Sequence, residues 1–234
     1  MFHFKQFSVD QSGCAMKVNT DGVLLGAMAD ADDPKHILDI GAGTGVIALM
    51  LAQRFPNALI DAVEIDPIAA QTCKANFANS PFCDRLTAYA DSFQSFADKH
   101  PDKKYDLIVS NPPFYIRSLK SEQKATQIAK HADGFFFEQL VSFVAKSLKN
   151  DGTCCMILPE QTKVLVEHLV FYNFLYINSI IVTKSFSNTP SHRNILFFGP
   201  EKHHFIEKEF VIYAQQGSYT KAYRDTLKNF LTIF

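Results

Sequence analysis

The stretch Asp39-Ile40-Gly41-Ala42-Gly43-Thr44-Gly45 limits the fold of this chain more than any other. It follows a short apolar run, His36 to Ile40, and precedes an apolar helical pattern, Val46 to Arg54. Glycine at every second position gives a tight turn from a buried strand into a helix. The same alternation continues downstream. Leu59 to Ile65, Arg85 to Ala90, Tyr105 to Ser110 and Thr153 to Leu158 read as strands. Pro67 to Asn79, Gly134 to Lys149 and Thr162 to Asn173 read as helices, the first with proline in its opening turn and the second closed by Asn150-Asp151-Gly152. Strands alternating with helices imply an α/β fold, a parallel sheet covered on both faces. Tyr176 to Lys184 and Asn194 to Phe198 have only a loop between them, so a hairpin is expected, with one antiparallel strand at the end of the sheet.

Residues 36–200 therefore form the main domain, with an N-terminal segment at 1–35 and a strand-helix appendage at 201–234 (strand Glu209 to Ala214, helix Thr220 to Phe230), all in one compact unit. Almost half of the 234 residues are hydrophobic, enough for a sizeable core. No apolar run reaches membrane-spanning length, and Met1 to Phe7 lacks the apolar stretch of a signal peptide. The five cysteines are odd in number and show no Cys-x-x-Cys spacing, so reduced thiols, a cytoplasmic location and no metal site are expected. Cys154 and Cys155 read as core. A formal net charge of −1 does not announce a nucleic-acid protein, but a local basic patch on a neutral body can still grip RNA.

The Gly-rich turn departs from the dinucleotide pattern Gly-x-Gly-x-x-Gly. Its third glycine comes one residue early, and Asp39 ends the strand before the first. An acid there repels a pyrophosphate but can accept from a cationic amino-acid group. Close backbone approach at Gly41 and Gly43 leaves room for an adenosyl group. The motif through Gly45 resembles the first motif of class I S-adenosylmethionine methyltransferases. That resemblance implies a Rossmann-like, seven-stranded, mostly parallel sheet and S-adenosylmethionine as cofactor. It assigns Glu64, in Val63-Glu64-Ile65-Asp66, to the ribose hydroxyls, with Ile65 beside it, and Asp91-Ser92 to the adenine amino group. Asp66, before Pro67, reads better as a helix N-cap. Glu64 and Asp91, at successive strand ends, lie where open sheets bind ligands.

Asn111-Pro112-Pro113-Phe114 ends the fourth strand of this series. A ring-conjugated amine is a poor nucleophile, because its lone pair is delocalised. Two acceptors on its two N–H bonds favour a pyramidal nitrogen and hold it for in-line attack. The Asn111 side-chain oxygen and the Pro112 carbonyl supply both, and proline pre-sets the turn. Phe114 offers a stacking face for a base, with Pro113 and Tyr115 beside it. The motif resembles those of methyltransferases acting on adenine N6, guanine N2 and protein glutamine amides, and so names the chemistry rather than the substrate.

The N-terminal segment narrows the substrate. Phe2-x-Phe4-Lys5-Gln6-Phe7, then Ala15 to Ala27, Pro190-Ser191-His192-Arg193 and Tyr219-Thr220-x-x-Tyr223, together with the two motifs, resemble the bacterial tRNA1(Val) adenine N6-methyltransferases over essentially the whole chain. Lys17 to Gly26 is the most specific stretch. The resemblance implies methylation of an adenosine beside the anticodon of a tRNA. Thr20-Asp21 reads as an N-cap signal for a short helix across the cofactor pocket, with Lys17 and Thr20 near the methionine end; the resemblance adds Thr20 and Asp21 as cofactor contacts. Lys221, Arg224 and Lys228 share one face of the C-terminal helix and, with His192, Arg193, Arg117, Lys120 and Lys124, form a candidate RNA rim. A monomer is expected. The alternatives are a guanine-N2 ribosomal RNA methyltransferase, which usually carries a duplicated domain, and a protein glutamine methyltransferase. The latter family has a helical domain ahead of the Gly-rich turn, which the residues before His36 cannot build.

Overall fold

The computed structural model describes the backbone of residues 1–113 and 123–234, and the side chains of 1–113 and 134–234. Of the expected site residues, Phe114, Tyr115, Arg117, Lys120 and the Lys124 side chain lie outside the described residues.

The chain opens with a small hairpin, β1 (Phe2–His3) and β2 (Ser8–Val9), followed by α1 (Thr20–Met28). The central alternation is β3 (His36–Ile40), α2 (Val46–Arg54), β4 (Leu59–Glu64), α3 (Pro67–Ala78), β5 (Leu86–Ala90), α4 (Phe93–Lys99), β6 (Tyr105–Ser110), α5 (Gln123–Ser147), β7 (Leu148–Leu158) and α6 (Glu160–Tyr172). It ends with β8 (Tyr176–Lys184), β9 (Ser191–Gly199), β10 (Ile206–Val211), a short hairpin β11 (Tyr213–Gln215) and β12 (Ser218–Tyr219), and α7 (Lys221–Leu227).

One eight-stranded sheet organises the molecule, in the order β10-β8-β9-β7-β6-β3-β4-β5. All pairings are parallel except those of β9, which runs antiparallel to both β7 and β8. The antiparallel strand is thus inserted between two parallel ones and does not lie at the sheet's end. The eighth strand, β10, pairs in parallel with β8 from Ile206↔Ser179 to Val211↔Lys184, so the 201–234 segment completes the sheet and is not an appendage to it. Glu207, Lys208 and Glu209 are exposed on this edge, which explains why apolar alternation placed the strand too late.

Central strands are apolar on both faces because both faces are covered. Ile37, Leu107, Val109, Cys155 and Ile157 pack with α1, α2, α3 and α7, while Leu38, Ile108, Cys154 and Met156 pack with α4, α5 and α6. Cys154 and Cys155 are buried on opposite faces, as core residues.

Asn150-Asp151-Gly152 does not close a helix. It lies within β7, and α5 begins well before Gly134. Glycine at 152 answers to close packing: a Cβ there would sit 2.8 Å from the Tyr105 carbonyl, and one at Gly199 would sit 2.4 Å from the Gly152 carbonyl. The termini meet at the back of α2. Phe4 bridges to Leu231, and the Lys5 ammonium donates to the carbonyls of Lys228 and Phe234, both at 2.6 Å. No helix among the described residues is long and apolar enough to cross a membrane.

Register brings the strand ends together. Ile40 is paired with Val63 and with Ser110, and Glu64 with Ala90. The turns after β3, β4, β5 and β6 therefore open on one edge. The first depends on Gly45, the residue before α2, at φ 80°. A Cβ on Gly45 would fall 2.6 Å from the Phe77 ring and 2.7 Å from Cys73 Sγ. Gly45→Ala is expected to lower stability by about 2–4 kcal/mol, combining left-handed strain with overpacking; a shift of the urea midpoint at unchanged slope is the check.

Candidate functional site

A cavity of about 380 Å³ opens at this edge. Gly41, Gly43 and Thr44 of the glycine turn line it, as do Glu64 to Asp66 after β4, Asp91 to Gln94 after β5 and Ser110 to Pro113 at the end of β6. Residues 14–17 with Asn19 and Gly22 cover it. Gly41 and Gly43 have φ of 73° and 55°, with nothing within 4 Å of where a Cβ would stand. The turn is therefore an open cradle into which a ligand can approach the backbone.

Glu64 organises the cavity. Its Oε2 accepts from Gly43 N and its Oε1 from Asp66 N, both at 2.8 Å, while its own carbonyl accepts from Asp91 N at 2.9 Å. Each carboxylate oxygen keeps a second lone pair for a ligand hydroxyl. Asp66 is the N-cap of α3, accepting from Ile68 N and Ala69 N. Ser92 caps α4 by accepting from Ser95 N. Asp91 accepts from Ser92 N at 3.0 Å and pairs with Lys99, whose ammonium holds the carboxyl below the usual carboxylate range. Ile65, 73% exposed, and Phe93 provide two apolar surfaces in the same cavity wall.

Asn111 is the most informative polar group. It is 9% exposed, and its Oδ1 is buried with no partner among the described residues. Its Nδ2 lies 4.0 Å from Met16 Sδ. A buried amide oxygen without a donor is costly, about 1–3 kcal/mol, unless a ligand supplies one. The neighbouring Ser110 hydroxyl donates to the Ile40 carbonyl at 2.9 Å, joining the Asn111 turn to the glycine turn.

Several expected contacts lie elsewhere. Asp39 is fully buried beneath the turn and does not line the cavity. Its Oδ2 accepts from Ala48 N in the first turn of α2 at 3.2 Å, and its Oδ1 is unpartnered. Gly45 shapes the turn from outside the wall. The N-cap of α1 is Asn19, which accepts from Gly22 N, and not Thr20 or Asp21. Lys17 lines the cavity, whereas Thr20 and Asp21 do not. Asp21 instead accepts from Arg193 Nε at 2.6 Å, because the first turn of α1 faces the start of β9. Arg193, expected at an RNA rim, thus ties the helix over the cavity to the sheet. Lys221 and Lys228 both pair with Asp225 on their own helix, and Arg224 donates to the Tyr219 carbonyl, so this patch is partly neutralised. Met16, Asn19, Ser110 and Phe136 line the cavity without having been singled out; the triple phenylalanine 135–137 was the available signal for the last. No group of His, Cys, Asp or Glu among the described residues could hold a metal.

The methyltransferase small domain profile matches residues 14–164, which span the covering segment, the cradle and the Asn111 turn. A protein from Pedobacter heparinus, named tRNA1(Val) (adenine(37)-N6)-methyltransferase, is 47% identical over 100% of this chain and 98% of its own length. One of the same name from Christiangramia forsetii is 40% identical over 98% of this chain and 96% of its own. The chain belongs to this methyltransferase family. Solved structures share the family's fold at low identity. A predicted O-methyltransferase from Agrobacterium tumefaciens superposes with a TM-score of 0.68 at 16% identity, covering 90% of this chain and 96% of its own. A ribosomal protein L11 methylase from Lactobacillus delbrueckii gives 0.56 at 17% identity, covering 83% and 84%. The class I methyltransferase architecture and the family give S-adenosylmethionine as methyl donor. The residues present suit it: an open glycine cradle and a carboxylate with free lone pairs.

Burial pushes the Asp39 carboxyl up to about 7; the Ala48 N–H opposes this and the Glu64 charge adds to it. In the fold Asp39 thus keeps its proton over a range where the unfolded chain, at 3.8, has lost it. Stability is fully present below the unfolded value, declines as pH rises from about 4 to 7, and levels off above. Asp39→Asn, neutral throughout, is expected to lack this slope. Urea midpoints of cofactor-free protein between pH 5 and 8 should show the variant gaining on the wild type as pH rises to 7; parallel curves would exclude a protonated Asp39.

Proposed function

We propose that this chain transfers a methyl group from S-adenosylmethionine to N6 of the adenosine next to the anticodon in a tRNA1(Val)-type substrate, in the cytoplasm. The observation that carries the reading is the buried Asn111 Oδ1 at the cavity wall, which has no partner among the described residues. It supports an amine donor as the missing ligand, and relatives aligned end to end are named for that substrate.

The roles follow from chemistry and position. Gly41 and Gly43 admit the adenosyl moiety, Glu64 accepts from its ribose hydroxyls, and Asp91 accepts from the adenine amino group between Ile65 and Phe93. Lys17 and the covering segment close over the methionine end. When bound, the cofactor supplies an electrophilic methyl carbon on a cationic sulfur. Asn111 Oδ1 and the Pro112 carbonyl accept the two N–H bonds of the target amine. They steady a pyramidal nitrogen and localise its lone pair for attack. Transfer to the held nitrogen would form the N–C bond as the donor's C–S bond gives up its electron pair to sulfur. The extra proton then leaves the nitrogen to water, so the site needs no strong base. Pro113 borders the entry for the base, while Phe114 and Tyr115, proposed to stack on it, lie outside the described residues. The target adenosine must leave its loop stack, which favours unpaired RNA.

Asn111→Ala is expected to keep S-adenosylmethionine affinity in isothermal titration while single-turnover transfer falls about a hundredfold or more, the scale of a lost pre-organised polar group. A rate within a few-fold of wild type would remove the two-acceptor mechanism. In parallel assays with labelled methyl donor, tRNA should accept label as N6-methyladenosine, and ribosomal RNA and release factor should accept none. Label confined to guanine N2 or to protein would overturn the substrate.

A further inference from the structure

The segment that covers the cofactor cavity and the glycine turn that lines it belong to distant parts of the sequence. One buried amide joins them. Asn76, in the inward face of α3 and 4% exposed, accepts from Asp10 N at 2.8 Å through Oδ1. Its Nδ2 donates to the Asp10 carbonyl and to the Thr44 carbonyl, both at 2.9 Å. Only this orientation of the amide works, since a flip would set NH2 against the Asp10 N–H and an oxygen against two carbonyls. Thr44 lies between Gly43 and Gly45, both in the left-handed region, and lines the cavity. The covering segment has further anchors. Thr72, on the same helix, donates to the Ser12 carbonyl at 3.0 Å, and Gln11 Oε1 accepts from Val18 N at 2.8 Å. Asn76 itself does not line the cavity.

We propose that Asn76 is a positioning residue for cofactor binding: by holding Asp10 and the Thr44 carbonyl with one side chain, it makes closure of residues 10–19 and the binding shape of the glycine turn a single event. The inference rests on the S-adenosylmethionine reading and on nothing about the RNA. When the covering segment lifts, Asn76 loses two of its three partners, and Thr44 loses the rigidity of its anchor. Cofactor binding orders both walls at once, so breaking the link raises the ordering cost of binding. The chemistry at Asn111 is untouched once the cavity is filled.

The test uses full-length Asn76→Leu, close in shape but without hydrogen bonds, and Asn76→Ala. Isothermal titration should give S-adenosylmethionine affinity weakened about tenfold, the scale of two lost hydrogen bonds. Methyl transfer at saturating cofactor and tRNA should stay within about threefold of wild type, a KM effect without a kcat effect. Backbone hydrogen exchange over residues 10–18 and 41–45 should quicken together in the variant, and cofactor should protect both. A variant that loses thermal stability but binds cofactor with wild-type affinity overturns the proposal, as does faster exchange in one segment alone. If neither variant folds, Thr72→Val removes only a neighbouring anchor. With Asn76 in place it should speed exchange over residues 10–18 and 41–45 together and weaken cofactor binding about threefold, less than one full hydrogen bond; faster exchange over 10–18 alone, or unchanged exchange and affinity, would equally overturn it. Wild-type protein that binds no S-adenosylmethionine would instead defeat the cofactor reading.

Discussion

The Glu64 carboxylate is the constraint on which the site depends. One side chain holds the glycine turn through Gly43 N and the start of α3 through Asp66 N, and the same residue's carbonyl holds Asp91 N. Three loops that follow three different strands are thereby tied together at Gly43, Asp66 and Asp91, while the Thr44 end of the glycine turn answers to Asn76. Such pre-organisation lowers the ordering cost of binding. It also explains the position of Glu64 at the end of a strand: parallel register fixes that point to within a fraction of a residue spacing, which a loop residue could not match.

Two of the buried side-chain oxygens without a partner among the described residues, on Asp39 and Asn111, differ in meaning. Asp39 Oδ1 lies under the turn, away from the cavity, and the carboxyl responds to burial by keeping its proton to about pH 7. Asn111 Oδ1 lies in the cavity wall, has no donor among the described residues and cannot take up a proton at ordinary pH. The first is a cost set by the fold, offset by a protonation equilibrium. The second is an acceptor facing the cavity. Both sit at the carboxyl ends of adjacent parallel strands, β3 and β6.

The edge strand and the covering segment show how the chain completes an otherwise open fold. Strand β10 extends the sheet beyond β8, and α7 packs Tyr223 and Leu227 into the core formed with α1 and α2. The first and last residues of the chain are stitched together behind that core through Phe4, Lys5 and Leu231. The segment over the cavity therefore leaves from an anchored base, and Asp21 paired with Arg193 anchors its other end.

Much of this was legible in the sequence, for a physical reason. A glycine needing a positive φ, a proline after an asparagine, an N-cap before Pro67 and a strand apolar on both faces are local requirements, and local requirements leave marks on consecutive residues. They gave the parallel sheet, the cradle at Gly41 and Gly43, and the positions of Glu64, Asp91 and Asn111 on one edge. The N-cap at Asn19 was missed by one residue because Asn, Thr and Asp all suit that place. Which partner each polar side chain finds was decided by tertiary structure alone. Asp21 meets Arg193, Asn76 meets Asp10 and Thr44, Met16 meets Asn111, and an exposed run of alternating charge becomes the eighth strand. Those pairs lie far apart in sequence, and no residue's own chemistry distinguishes such a partner from solvent until the chain has folded.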